Sequence, residues 1–180
     1  MGKHFVLSGI IVFLIGFQGW SQEESVSENF SYRSFSISPL GIYSGGSSGW
    51  AISGDVSFDY GKNIFSLGLG AGTQGNYIGR SDSFNEVNLL YGRSFALSEK
   101  VFTDVFVGGG YFHFNTYGLI DATGKKGEID ESTIGFPLGV KFQLMLGQRY
   151  SMGIKLGGNI NSVQSLVTTG LVLQWNRKRE

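Results

Sequence analysis

From about residue 33 to residue 175 the chain alternates apolar and polar residues with a period of two, segment after segment. That alternation restricts it to β-structure with one greasy and one wet face, because a helix would need apolar residues three and four apart. Trp50, Ile52, Val56, Phe58 and Tyr60 interleave with Ala51, Ser53, Asp55, Ser57 and Asp59. Ile134, Phe136, Leu138, Val140 and Phe142 interleave with Gly135, Pro137, Gly139, Lys141 and Gln143, and Ile154 and Leu156 with Gly153, Lys155 and Gly157. The pattern predicts eight strands, over 33–43, 49–60, 63–74, 84–96, 100–114, 131–146, 149–160 and 164–175.

The links between them differ in length. Gly61-Lys62, Leu97-Ser98-Glu99 and Gly147-Gln148 are tight turns, whereas 75–83 and 115–130 are long and 44–48 and 161–163 intermediate. A membrane barrel with both chain ends on one side has short turns there and longer loops opposite. Strands of this length also suit a tilted crossing, which takes about 9–11 residues.

Composition decides which face is wet. Charged residues make up 16% of the chain, and the polar face is mostly Ser, Gly, Asn and Thr. A soluble barrel would carry a charged exterior, whereas small polar residues suit the cramped lumen of eight strands. The bulky apolar face would in water be a patch well beyond the few hundred Å² that soluble proteins tolerate. The fold class expected is therefore all-β, an eight-stranded antiparallel up-and-down transmembrane β-barrel. Zero formal net charge excludes the basic footprint of a nucleic-acid binder. The absence of cysteine excludes disulfides, thiolate metal sites and cysteine nucleophiles. The reading assigns no cofactor, no metal and no catalytic residue.

Ahead of the barrel, Lys3 and His4 precede an apolar run from Phe5 to Phe17, and Gly19-Trp20-Ser21 offers small residues at a cleavage site. Residues 1–21 therefore read as a secretory signal peptide. Residues 22–32 read as a flexible polar stretch, and 177–180 as a charged tail.

Thr168-x-Gly170-x-x-Leu173-x-Trp175 resembles the C-terminal assembly signal of outer-membrane barrels, although Asn176 and the charged tail follow the aromatic. With it, the chain over about 30–176 resembles the small eight-stranded outer-membrane barrels, the group of the OmpA transmembrane domain, OmpX and the opacity proteins. The resemblance implies the outer membrane of a Gram-negative bacterium as location. It also implies the barrel-assembly machinery as a partner during biogenesis, bilayer lipid and lipopolysaccharide as surroundings, and a monomer.

Within the barrel, parity turns Asp55, Glu86, Asp104, Lys141 and Lys155 inward, with Asp59 and Arg149 near the rim, and the five together with Arg149 read as one lumen charge network. Charges in a narrow lumen must pair, so an ion pair is expected between Lys141 or Lys155 and Asp55, Glu86 or Asp104. Aromatics near strand ends, Tyr43, Trp50, Tyr60, Phe84, Phe95, Tyr111, Tyr150 and Trp175, suit two interfacial girdles. His113 lies on the lipid side beside Tyr111, and the position two residues on is Asn115. The His-x-Ser pair of barrel acylhydrolases is thus missing. The link 115–130 carries Lys125 and Lys126 between glycines, flanked by Asp121 and Glu128, and reads as an outer contact surface, a hairpin with a basic tip and acidic shoulders. The leading expectation is a non-enzymatic barrel acting in envelope integrity or surface interaction through its outer loops. The alternatives are a narrow pore or carrier for ions or small apolar solutes, a lipid-modifying enzyme, and a secreted soluble ligand-binding barrel.

Overall fold

A computed structural model of the chain describes residues 29–74, 82–120 and 126–178, with the side chains of 117–120 and 126–129 left aside. Residues 1–28, which hold the expected leader, lie outside it, as do Asp121 and Lys125. Eight strands follow one another: β1 (Ser31–Gly45), β2 (Ser47–Tyr60), β3 (Asn63–Thr73), β4 (Ser83–Ala96), β5 (Val101–Ile120), β6 (Lys126–Met145), β7 (Tyr150–Ile160) and β8 (Leu166–Asn176). Each pairs antiparallel with the next, and β8 pairs with β1, so the sheet closes into a barrel with no exposed side edge in its wall.

The period-two pattern sets which face each residue occupies. Ile134, Phe136, Leu138, Phe142, Ile154, Leu156, Leu171 and Leu173 are exposed on the outer wall, while Lys141, Gln143, Ser151 and Gln174 are buried inside. Trp175 on that wall packs edge-on against Tyr150 and tilts over Phe35 across the β8–β1 seam. Inside, large side chains alternate with glycine, because opposing walls leave room for only one of two facing side chains. At the seam Gly41 pairs with Gly170. A Cβ on Gly170 would meet the Leu40 carbonyl oxygen and the Ser38 hydroxyl, both at 2.7 Å.

The structure differs from the sequence expectation in three places. The stretch 115–130, expected as a link, is mostly strand. β5 runs on to Ile120 and β6 begins at Lys126, whereas β4 stays paired only as far as Asn115 and β7 only as far as Phe136. The two longest strands thus project past their neighbours as a ribbon, by roughly 15 Å at about 3.3 Å per residue beyond Asn115. Past the ends of β4 and β7 the ribbon is paired by the β5–β6 ladder alone. Next, Tyr43 and Phe84 are not girdle residues, since both are buried within the lumen. Finally, β1 carries two irregularities in its pairing with β2, one between Tyr32 and Ser34 and one between Ser38 and Gly41 around Pro39. The first has a large effect on the lumen.

Candidate functional site: the lumen and the rim of the wall

The lumen is filled in layers. Nearest the chain termini, the β-bulge at Arg33 inserts one residue out of step, so that Arg33 turns inward although Phe35 and Ile37 on the same parity face out. Its guanidinium donates to Asp59 at 3.1 Å, to Ser94 at 3.1 Å and to Asp104 at 2.9 Å. Beside it Gln143 donates to Gln174, Ser151 to Gln143, Gln174 to Asn176 and Asn176 to Ser151, a ring of amides and a hydroxyl that ties β6, β7 and β8 together.

The middle layer holds the ion pair. Lys141 on β6 donates to both Asp55 oxygens, at 2.7 and 2.8 Å, and to Ser36 at 2.9 Å. Asp55 also accepts from Ser36 at 2.7 Å and from Ser57 at 3.3 Å. The Phe106 ring lies 5.3 Å from the lysine nitrogen, a cation–π contact that further solvates the charge. Both charges of the pair are thus satisfied by several partners, the condition under which a buried pair holds.

Above that, Lys155 donates to Ser53 at 2.9 Å, and Asn159 donates to Glu86 at 2.8 Å. A cavity of about 60 Å³ lies here, lined among others by Asp55, Glu86, Asn88, Lys141 and Lys155. A hydrophobic cap closes the far end: Tyr43, Phe84, Phe112, Phe114 and Leu166 are all buried, with Phe84 stacked on Phe112 and edge-on to Tyr43.

Of the charges expected inside, Asp55 meets Lys141, Asp104 meets Arg33, Lys155 meets Ser53 and Glu86 meets Asn159. Arg149 is a correction. It lies exposed on the β6–β7 turn, outside the network, and among the described residues the arginine that enters the lumen is Arg33. Thr168 and Gly170 face the lumen and Leu173 and Trp175 the outer surface. Lys126 and Glu128 begin β6 in the projecting ribbon, while Asp121 and Lys125 fall outside the described residues.

The outer wall carries a second polar cluster at the end away from the termini. His113 on β5 is paired in register with Ser132 on β6. Its Nδ1 lies 3.0 Å from the Ser132 hydroxyl and 3.2 Å from an Asp130 oxygen, and the Tyr111 hydroxyl lies 2.7 Å from the same serine. The Tyr111 ring stacks on the imidazole with centroids 6.4 Å apart. A serine beside His113 is what residue spacing along one strand could not reveal, since it comes from the neighbouring strand. Yet serine and carboxylate address the same ring nitrogen. A nucleophile–base–acid relay needs them on opposite nitrogens.

No protein-family model and no curated protein matches the chain. Solved structures do. Neisserial surface protein A matches with a TM-score of 0.59 at 9% identity, over 87% of this chain and 100% of that one. The N-terminal β-barrel domain of Pseudomonas aeruginosa OprF matches at 0.52 and 13%, over 83% and 100%. Ail, the attachment invasion locus protein of Yersinia pestis, matches at 0.53 and 11%, over 83% and 99%. With the closed eight-strand topology and the apolar outer wall, these likenesses give the chain the fold of the small eight-stranded outer-membrane β-barrels.

Proposed function

We propose that this chain is a monomeric, non-enzymatic protein of a Gram-negative outer membrane, with a closed lumen, that acts in surface interaction or envelope integrity through its wall and its projecting β5–β6 ribbon. The observation that carries the reading is the contrast between the two faces. The outside is a continuous apolar wall fit for lipid, and the inside is filled by three layers that carry charge and an aromatic cap around a cavity of only about 60 Å³. A pore would need a continuous wet path, and a soluble barrel would need the wall reversed. A closed wall without side edges also supports a monomer. The lipid bilayer and lipopolysaccharide are its surroundings in this reading, and the Thr168–Trp175 strand is the segment offered to the barrel-assembly machinery.

The test is refolding into lipid vesicles, followed by gel mobility with and without boiling and by planar-bilayer recording. The reading expects a mobility shift that heating abolishes and no steady conductance. Unchanged mobility and failure to insert would return the chain to the soluble class, and steady single-channel steps would establish the pore.

A further inference from the structure

At the end that carries the chain termini, the outer wall holds a row of polar side chains. Tyr60 on β2 pairs with Asn63 on β3, and Asn63 with Arg93 on β4, so the three stand side by side on the outward face. The tight turn between β2 and β3 places the exposed Lys62 next to Asn63. Two residues along each strand, toward the middle of the wall, lie Phe58, Phe65 and Tyr91, with Phe65 edge-on to Tyr91 at 5.7 Å. The Tyr91 hydroxyl donates to Asn63 Oδ1 at 2.7 Å, which leaves the Asn63 amide N–H groups to donate elsewhere. Among the described side chains, Arg93 is the one lysine or arginine that a strand turns outward, and no described residue pairs with it. An arginine on a lipid-facing wall needs an anionic or polar partner. This one stands above an aromatic row, the level at which a barrel wall meets lipid headgroups.

We propose that this row binds the headgroup phosphate of one anionic phospholipid in the leaflet on the side of the chain ends, with its acyl chains against Phe65 and Tyr91. The inference rests on the membrane reading above, in which the termini and short turns lie opposite the long loops and lipopolysaccharide. The Arg93 guanidinium, the Lys62 ammonium, the Asn63 amide and the Tyr60 hydroxyl are all donors, and a phosphate diester is all acceptor. Charge selects the lipid class. Asp59, beside Tyr60 in sequence, faces the lumen and is held by Arg33 at 3.1 Å, and Glu99 lies past the ends of β4 and β5 on the next turn. Two cations with no carboxylate facing them favour a headgroup of net negative charge over one whose phosphate is balanced by its own ammonium. The Tyr91–Asn63 bond and the Phe65–Tyr91 contact hold the ledge in place before a lipid arrives, which lowers the ordering cost of binding.

The experiment refolds the protein into bilayers of phosphatidylglycerol and phosphatidylethanolamine in equal amounts with matched acyl chains. Insertion is confirmed by heat-modifiable mobility, and retained lipids are counted by native mass spectrometry. The wild type should retain one phosphatidylglycerol in preference to phosphatidylethanolamine. Arg93→Gln should lower that preference about tenfold, the loss of one charge-assisted contact. Lys62→Gln should lower it about fivefold, and it reads the site if Arg93→Gln does not insert. Arg149→Gln, on the β6–β7 turn, should leave the preference unchanged. Equal retention of the two lipids by the wild type, or an unchanged preference in the inserted Arg93 and Lys62 variants, overturns the proposal. So does an equal loss in Arg149→Gln, which would mean diffuse attraction by the whole rim. Failure of the wild type to insert overturns the membrane reading instead.

Discussion

Lys141 and Asp55 sit on β6 and β2, four strands apart in a ring of eight, and meet across the lumen at 2.7 Å with both side chains almost wholly buried. Lys141 is aligned in register with Asp104 on one side and Lys155 on the other, yet it pairs with neither. Asp104 is held by Arg33 instead. These two pairs reach across the centre rather than to the residue beside them, because an eight-stranded barrel is narrow enough for a lysine to cross it.

Removing one partner of this pair strands the other. Lys141→Met should destabilise the barrel by about 3–5 kcal/mol, the usual cost of an unpaired buried charge. The double variant Lys141→Met with Asp55→Leu should recover much of that loss. Urea unfolding in lipid vesicles, read by tryptophan fluorescence, checks both. A single variant with an unchanged midpoint would show that Asp55 finds other partners.

Arg33 should matter as much, although no alternation in the sequence marks it. Arg33→Leu leaves Asp104, which is buried, and Asp59 without their cation. A loss of about 3–5 kcal/mol is expected, with Arg33→Lys intermediate because an ammonium cannot reproduce the guanidinium fork. Arg149→Leu, on the exposed turn, should stay within about 0.5 kcal/mol of wild type. Equal effects at positions 33 and 149 would contradict this placement.

Depth in the bilayer should grade substitutions on the outer wall. Leu138→Arg and Leu156→Arg, on the middle of β6 and β7, should each cost about 2–4 kcal/mol, whereas Leu146→Arg at the turn should cost about 0–1 kcal/mol. The comparison is made by refolding titrations into bilayers of one thickness. A flat profile across the three positions would mean that this wall does not face lipid.

Two glycines separate crowding from openness. A Cβ on Gly153 would collide with the Phe142 carbonyl oxygen, while one on Gly109 meets nothing. Gly153→Ala should therefore cost about 1–3 kcal/mol by forcing backbone apart, and Gly109→Ala should leave the unfolding midpoint near that of wild type. Paired denaturation curves decide it.

How far the sequence could be read depended on whether each residue obeys the pleat. Ile134, Leu138, Lys141 and Lys155 obey it, and parity alone assigns their faces correctly. Arg33 does not, because the bulge between Tyr32 and Ser34 shifts the phase by one residue, and nothing in the local composition announces that shift. Phe84 shares the parity of Glu86 and Asn88 and so was readable as inward. Its place near a strand end, where aromatics commonly anchor to the interface, pointed the other way. The ribbon beyond Asn115 is strand held by its own ladder, past the ends of β4 and β7, where the expected link between β5 and β6 had been placed. The pairing of His113 with Ser132 depends on the register between β5 and β6, which the loop between them does not specify.

The cross-lumen contacts also constrain the order in which the protein can lose water. Arg33, Ser53 and Asp55 belong to the first two strands, and their partners Asp104, Lys155 and Lys141 arrive only with the fifth, seventh and sixth. Until the later strands curl round, Arg33 has only Asp59 and Asp55 only the Ser36 and Ser57 hydroxyls within these strands, and solvent must satisfy the rest. The interior must therefore stay hydrated through most of assembly, and drying of the lumen comes as the final event, together with the joining of β8 to β1.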